Sequence, residues 1–195
     1  HKMSKTKGNV LDPLIVIDEF GTDALRFTML VGSTPGNDTN VGVKKVEANR
    51  NFANKIWNAA RFAHMHLASI QESRPPTDRS FPGLWIRSRL NNTIQIVTME
   101  LKAYRFDRAT SALYQFFWHE YCDWYLELIK PVLQDTVHPQ GSATRRTLQD
   151  TLEVFLRLLH PFMPFISEEI WQTLPHSGET IVTQPYPLTQ TDWHD

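Results

Sequence analysis

The strongest constraint on the fold is helical periodicity over long stretches of the chain. From Val46 to Leu67 apolar residues recur at steps of three and four, so they share one face of a helix over about residues 43–67. Similar patterns return between residues 85 and 174, and no stretch alternates as a strand does. Long amphipathic helices joined by short loops predict a mainly α protein, an antiparallel helix bundle. The predicted core comprises Ile56, Trp57, Ala60, Leu90, Ile94, Val97, Leu113, Phe117, Tyr121, Trp124, Leu156 and Leu159.

Two short helices are predicted before the bundle. Asp12 and Pro13 provide an N-cap followed by proline at the first helical position, which predicts a helix that ends before Gly21. Thr22 or Asp23 is suited to cap a second helix, because both side chains accept hydrogen bonds from backbone N–H groups.

Turn residues and prolines suggest how the chain is divided. Residues 32–38 are dense in Gly, Pro, Ser and Asn, and the polar, proline-rich stretch 71–82 is either a domain boundary or a long helix–helix loop. The expected division is a small mixed unit at 1–40, the helix bundle at 41–175 and an extended tail at 176–195.

Composition excludes several classes of protein. Of the 195 residues 41% are hydrophobic and 21% charged, which is typical of a folded globular protein and not of a disordered one. No apolar run approaches the roughly 20 residues of a membrane-spanning helix. A single cysteine, Cys122, forms no internal disulfide, and the scattered histidines show no zinc-binding spacing. We expect a soluble intracellular protein with no membrane partner and no metal site.

Charge is unevenly distributed although the net charge is −1. Residues 1–68 contain nine Lys or Arg and six Asp or Glu, so the first third of the chain is basic. A basic segment favours binding of a polyanion such as nucleic acid, and chance variation of surface charge is the alternative.

Lys2 and Lys5 lie three residues apart in a lysine-rich segment that ends at Gly8. Two ammonium groups at this spacing suit binding of a triphosphate, because they neutralise the charge that develops on leaving pyrophosphate. Ser4 adds a hydroxyl donor. The alternative is a solvated lysine-rich terminus without a ligand.

The predicted helix at 43–67 carries a polar stripe opposite its apolar face. At 100° per residue, one row contains Lys44, Asn51, Lys55, Asn58 and Phe62, with Arg50 and Arg61 flanking it. An aromatic ring among cations and amides suits stacking on an unpaired RNA base, while the cations hold phosphates. The alternative is that Phe62 packs under a neighbouring loop such as 71–82.

Several segments resemble a known family. Residues 2–6, KMSKT, resemble the KMSKS signature of class I aminoacyl-tRNA synthetases, with threonine in the last place. Three segments are similar to the valyl-tRNA synthetase family within that class: RNFANKIWNAARF at 50–62, WHEYCDWY at 118–125 and LHPFMPF at 159–165. The resemblance covers nearly the whole chain, and PGND at 35–38 favours the valyl branch over the isoleucyl and leucyl branches.

The resemblance implies part of an enzyme that attaches valine to tRNA(Val) with conversion of ATP to AMP and pyrophosphate. Lys2 and Lys5 are then the catalytic cations, Ser4 also contacts the ATP phosphates, and Mg²⁺ is expected with ATP. The first unit contacts the tRNA stem. We expect the bundle to bind the anticodon region through the polar stripe and its flanking arginines: Lys44, Arg50, Asn51, Lys55, Asn58, Arg61 and Phe62.

Class I synthetases also carry a His-x-Gly-His signature, which does not occur here. We therefore expect a C-terminal fragment that is catalytically inactive alone and that works with the N-terminal catalytic and editing domains of its parent, a cytoplasmic monomer. Two alternatives stay open: the same fragment of an isoleucyl- or leucyl-tRNA synthetase, and a stand-alone helical RNA-binding module. An upstream coding sequence with His-x-Gly-His distinguishes the synthetases from the stand-alone module.

Overall fold

The computed structural model describes residues 3, 10–33, 36–37, 41–67 and 78–193. A π-helical segment, Phe116–Tyr125, joins the fifth and sixth of the α-helices in these residues, and the described chain contains no strand. The expected mainly α helix bundle is confirmed. The helices are α1 (Pro13–Phe20), α2 (Thr22–Leu30), α3 (Val43–Leu67), α4 (Phe81–Lys102), α5 (Phe106–Gln115), α6 (Leu126–Gln134), α7 (Gly141–Leu159) and α8 (Pro164–Thr173).

The first helix begins and ends where its sequence predicts. The Asp12 carboxylate accepts a hydrogen bond from the backbone N–H of Leu14 at 2.9 Å, and Pro13 opens the helix. Gly21 ends α1 with a φ of 88°, a backbone conformation that favours glycine, and its N–H donates to the carbonyl of Ile17. Local capping chemistry therefore sets both ends of α1.

The core lies between α3, α4, α7 and the long helical run from α5 through the π-segment to α6. Aromatic rings fill much of it, and the rings of Phe117 and Phe155 lie 4.3 Å apart, centroid to centroid. A smaller apolar cluster packs α1 and α2 onto the beginning of α3, through Val16, Phe20, Ala24 and Val46. The N-terminal helices are thus attached to the same helix that carries the predicted polar stripe.

The extended tail is held across the bundle by polar contacts. The buried amide of Asn91 accepts a hydrogen bond from the backbone N–H of Gln190 at 2.8 Å and donates to its carbonyl at 3.1 Å. Arg157 donates to the carbonyl of Pro185 at 2.9 Å. The tail is therefore tied to both α4 and α7.

The prediction that Trp57 belongs to the core is wrong. Its side chain is 42% exposed, whereas Ile56 is fully buried. Consecutive residues of an α-helix point about 100° apart, so the two side chains cannot share the centre of one face. The buried face of α3 is centred instead on Phe52, Ile56 and Ala63.

The prediction that Trp124 belongs to the core is also wrong, because its side chain is 62% exposed. Along this run a buried residue recurs at every fourth position, namely Leu113, Phe117, Tyr121, Tyr125, Ile129 and Leu133, and Phe116, Cys122 and Leu126 are buried beside them. That spacing exceeds the 3.6-residue period of an α-helix because the π-segment has wider turns. The prediction assumed a regular α-helical period through this segment and therefore assigned Trp124 to the buried face.

The sequence suggested that Asp23 caps its own helix, α2. In the structure it caps the beginning of α8 instead. Its carboxylate accepts hydrogen bonds from the backbone N–H groups of Ile166 at 2.7 Å and Phe165 at 3.4 Å. The N-cap residue of α8, Met163, offers no side-chain acceptor. Burial raises the pKa of Asp23, and the two N–H donors oppose that rise. The contact fastens α2 to the α7–α8 corner.

Asp23→Ala is expected to lower the free energy of unfolding by about 1–2 kcal/mol, because two N–H groups at the first turn of α8 lose their acceptor. Chemical denaturation followed by circular dichroism measures this loss. Asp23→Asn keeps one acceptor oxygen and should cost less. Equal stability of Asp23→Ala and the wild type would contradict the capping role.

Candidate nucleic-acid interface

Helix α3 concentrates positive charge. It contains five of the 20 Lys and Arg residues of the chain but only one of its 21 Asp and Glu residues, namely Glu47. The rest of the chain is therefore acidic in balance. A basic helix on an otherwise acidic protein attracts a polyanion to one surface.

The seven predicted RNA-binding residues all lie on α3, but they differ in exposure. Lys44, Asn51, Asn58 and Arg61 are exposed, whereas Arg50, Lys55 and Phe62 are partly buried. The helix therefore brings the predicted stripe together along its length. Lys2, Ser4 and Lys5 lie outside the described residues.

Lys55 is held by the π-segment. Its Nζ lies 3.3 Å from a carboxylate oxygen of Asp123 and 5.1 Å from the ring centroid of Trp118. His119 also contacts Asp123, at 3.3 Å. The Lys55 side chain is 34% exposed and that of Asp123 is 41% exposed, so exchange of the carboxylate for a phosphate costs little. Asp123 thus orients Lys55 and competes with any anionic ligand.

Phe62 is not a free-standing ring. It is partly buried against the core, and its centroid lies 4.7 Å from that of the His66 imidazole, one helical turn further on. The ring packs on the protein core and remains partly accessible, and most of the loop 71–82, the suggested cover of Phe62, lies outside the described residues. Its role in RNA stacking stays a prediction.

The two flanking arginines have different surroundings. Arg50 lies 3.7 Å from Glu47 and 5.7 Å from the ring centroid of Phe20, so it helps to attach α1 to α3. Arg61 is exposed and makes no ion pair with the described residues. Of the two, Arg61 is the more accessible to a phosphate.

Two exposed tryptophans border this surface, and sequence analysis assigned both to the core. Trp57 lies on α3 between Arg50 and Arg61. The sequence did indicate that Trp57 and its neighbour Ile56 point about 100° apart and cannot both occupy the centre of the buried face. Trp124 follows Asp123, the partner of Lys55. Its exposure depends on the π-segment, for which the sequence offered no signal. Exposed tryptophans suit stacking on bases.

Other kinds of site find little support in the described residues. No three His, Cys, Asp or Glu side chains there are grouped so that they could hold a metal ion. Burial raises the pKa of the Cys122 thiol to about 12, so it is a poor nucleophile. None of the described helices has the length and apolar character needed to cross a membrane.

A helix bundle that presents one basic, amide-rich helix to solvent has the features of the class of helical nucleic-acid-binding domains. The chain belongs, within that class, to the family described as the anticodon-binding domain of tRNA ligase, whose model matches residues 83–195. Residues 1–42 match a second family, tRNA synthetases class I (I, L, M and V).

The particular proteins that the chain resembles are valine–tRNA ligases. It is 47% identical to the valine–tRNA ligase of Geobacillus kaustophilus over 193 residues, which are 98% of this chain and 22% of that protein. It is 47% identical to that of Dehalococcoides mccartyi over 200 residues, covering 100% of this chain and again 22% of the relative. The chain thus spans about a fifth of these relatives, and the resemblance to valyl-tRNA synthetases is confirmed.

Solved structures share the fold. The LeuRS of Agrobacterium radiobacter K84, crystallised as a ternary complex with tRNA and LeuAMS, matches 100% of this chain with a TM-score of 0.78 and 25% identity, over 23% of its own length. Mycobacterium tuberculosis methionyl-tRNA synthetase, in complex with methionyl-adenylate, matches 87% of this chain with a TM-score of 0.71 and 20% identity, over 35% of its own length. The second likeness concerns the fold alone.

Proposed function

We propose that this chain is the part of a valine–tRNA ligase that holds the anticodon region of tRNA(Val). The observation that carries the proposal is the 47% identity to enzymes of that name over 98% of the chain. The parent enzyme joins valine to tRNA(Val) and converts ATP to AMP and pyrophosphate. It acts as a cytoplasmic monomer, and this chain works beside the N-terminal catalytic and editing domains of that parent.

The exposed side of α3 supplies the proposed RNA contacts. Lys44 and Arg61 are accessible cations, while Asn51 and Asn58 present amides that both donate and accept hydrogen bonds. Phe62 adds a partly accessible ring beside them. Cations hold phosphates, amides distinguish base edges, and a ring stacks on an unpaired base, so the surface matches a single-stranded loop.

The proposed division of the chain is the one expected from the sequence. Residues 1–40 form the phosphate loop and a stem-contact unit, residues 41–175 form the anticodon-binding bundle, and residues 176–195 form the tail. The match at 1–42 supports the first boundary, whereas the match at 83–195 spans most of the bundle together with the tail.

The proposed role of Lys2, Ser4 and Lys5 is to bind the phosphates of ATP during activation of valine. Negative charge moves to the leaving pyrophosphate as the bond to the α-phosphate breaks, and the two ammonium groups stabilise that charge. Mg²⁺ is expected to accompany the ATP phosphates. This chain has no His-x-Gly-His sequence, so we expect no ATP–pyrophosphate exchange from it alone.

The chain is expected to bind tRNA(Val) more tightly than a tRNA(Val) whose anticodon is altered. Filter binding at two salt concentrations tests this, because phosphate contacts weaken with salt while base-specific discrimination persists. Phe62→Ala should weaken binding by about 1–3 kcal/mol, the usual value for one stacked base. Lys55→Ala should reduce anticodon discrimination if its ammonium reaches a base edge, or weaken all tRNAs equally if it touches phosphate.

Trp57→Ala tests the alternative face of the helix, since Trp57 is an exposed aromatic residue of α3 outside the predicted stripe. Weaker binding in Trp57→Ala with wild-type affinity in Phe62→Ala would move the RNA-binding face toward Arg50 and Arg61. Equal affinity of the wild type for both tRNAs would contradict anticodon recognition by this chain.

A further inference from the structure

Lys55 is a cation of the polar stripe of α3 whose ammonium group is held by the π-segment. Its Nζ lies 3.3 Å from Oδ1 of Asp123 and 5.1 Å from the ring centroid of Trp118. An ammonium group has three donors, and the carboxylate accepts from one of them. The Lys55 side chain is partly exposed, so the remaining donors are accessible to a ligand from the open side.

The groups that face this ammonium are fixed by further contacts. Oδ1 of Asp123 accepts a hydrogen bond from Lys55, while Oδ2 lies 3.3 Å from Nδ1 of His119, four residues earlier in the π-segment. The ring of Trp118 stacks on the fully buried ring of Phe52, with centroids 6.4 Å apart. The carboxylate and the indole beside Lys55 are therefore each held in place by a second partner.

A fixed carboxylate changes which ligand Lys55 prefers. Breaking a partly exposed ion pair costs little, but the Asp123 carboxylate remains beside any phosphate that takes its place and repels it. A carbonyl oxygen or ring nitrogen of a base is a neutral acceptor and meets no such repulsion. The surroundings of Lys55 therefore favour a base edge over a backbone phosphate.

Other cations of the candidate surface have different surroundings. Lys44 and Arg61 are exposed, and neither makes an ion pair with the described residues. A cation whose charge is not balanced by a neighbouring acid attracts phosphate in any RNA sequence. The same helix thus presents cations suited to phosphates and, in Lys55, a cation whose charge is already balanced.

We propose that Asp123 is a specificity-determining residue of the candidate RNA surface. It holds the Lys55 ammonium so that this group donates to a base edge of the tRNA and does not bind a backbone phosphate. Asp123 acts through Lys55 and is therefore a positioning residue. The proposal rests on the proposed function and adds to it the residue that decides what Lys55 binds.

The first experiment replaces Asp123 by asparagine, which keeps one acceptor oxygen but removes the charge. The Kd is measured for tRNA(Val) and for a tRNA(Val) with an altered anticodon, at one pH and two salt concentrations. Asp123→Asn should bind the altered tRNA about three- to tenfold more tightly than the wild type does, because Lys55 then binds phosphate.

The affinity of Asp123→Asn for tRNA(Val) should change by about twofold at most, because the gain in charge offsets the loss of an oriented base contact. Discrimination between the two tRNAs therefore falls, although binding as a whole becomes tighter. A purely structural role of Asp123 predicts weaker binding of both tRNAs instead. Unchanged discrimination in Asp123→Asn would overturn the proposal.

Glu127→Gln is the matched control for the loss of charge. Glu127 is an exposed acid four residues after Asp123 in the same helical run, and its partner is Lys130 rather than a residue of α3. This substitution should leave the discrimination unchanged. Equal effects of Glu127→Gln and Asp123→Asn would assign the result to net charge and would refute a specific role of Asp123.

A double-mutant cycle tests whether Asp123 acts through Lys55. Once Lys55→Ala has removed the ammonium group, adding Asp123→Asn should no longer alter the discrimination between the two tRNAs. An effect of Asp123→Asn that persists in the Lys55→Ala background would mean that Asp123 acts by another route, contrary to the proposal.

The salt dependence of two lysine variants gives an independent test that needs no change at Asp123. Lys44→Ala should weaken binding of both tRNAs equally and lower the salt slope by about one unit, as loss of a phosphate contact requires. Lys55→Ala should lower the discrimination and leave the salt slope unchanged. A salt slope lowered by about one unit in Lys55→Ala would assign Lys55 to a phosphate and overturn the proposal.

Thermal denaturation of each variant checks folding, and the lysine comparison decides the question if Asp123→Asn does not fold. Equal affinity of the wild type for the two tRNAs overturns the proposed function together with this inference. Discrimination by the wild type that is retained in Asp123→Asn overturns the role of Asp123 alone.

Discussion

Lys5→Ala, in a valine–tRNA ligase that contains this chain, is expected to lower the rate of valine-dependent ATP–pyrophosphate exchange by about 10²–10³-fold. The KM for ATP should change far less. In the role proposed for it, the Lys5 ammonium stabilises charge on pyrophosphate chiefly in the transition state, and such an interaction affects the rate more than ground-state binding.

Lys7→Ala is the matched control for this experiment, because Lys7 belongs to the same lysine-rich segment but lies outside the KMSKT pattern. It should retain most of the activity. Thr6→Ser should be nearly silent, since the hydroxyl is kept. Equal losses in rate and in ATP affinity for Lys5→Ala would assign Lys5 to ground-state binding.

Phe52→Ala is expected to lower the free energy of unfolding of this chain by about 3–5 kcal/mol. Phe52 lies on α3 and is fully buried, and its ring lies close to rings of three other helical elements. Its centroid lies 5.3 Å from that of Phe27 on α2, 4.8 Å from that of Tyr114 on α5 and 6.2 Å from that of Phe117 in the π-segment. Loss of the ring leaves a cavity between α3 and the three elements that surround it, namely α2, α5 and the π-segment. Urea unfolding followed by circular dichroism measures the change.

Trp124→Ala is the comparison for Phe52→Ala and should cost less than about 1 kcal/mol, because this side chain is largely exposed. The helical pattern of the sequence alone would have predicted a cost like that of Phe52→Ala. A loss of several kcal/mol in Trp124→Ala would mean that the π-segment does not rotate Trp124 outward in solution.

Local signals were sufficient to predict the ends of the short first helix and the extent of α3. Asp12, Pro13 and Gly21 act on backbone groups within a few residues of themselves, so their effect is independent of the rest of the fold. The apolar spacing from Val46 to Leu67 likewise predicted a helix that the structure contains over the same residues.

The orientation of helical faces was predicted less well. Apolar character placed Trp57 in the core, although Ile56 and Phe52 occupy the buried face and leave Trp57 at the surface. Burial depends on which neighbouring helices cover each side, and a single apolar residue does not reveal this. At Trp124 the additional cause is a change of helical period in the π-segment.

The candidate RNA surface shows the same limit. The sequence placed Lys55 and Phe62 on one row of α3, and the structure contains that row. It did not show that Asp123 holds Lys55 or that His66 contacts Phe62. These partners come from helices that are distant in sequence, or depend on the rotamers that packing selects.

The sequence by itself determined the helical class of this protein, the extent of its longest helix and its resemblance to valyl-tRNA synthetases, because periodicity, caps and motifs are local properties of the chain. Only the tertiary structure decided which helix a cap serves. The residue type and position of Asp23 suit a cap for α2. Its carboxylate instead accepts hydrogen bonds from N–H groups in the first turn of α8, including that of Ile166, 143 residues away. A carboxylate binds whichever unsatisfied N–H groups packing brings within reach, and packing is set by the whole core rather than by neighbouring residues.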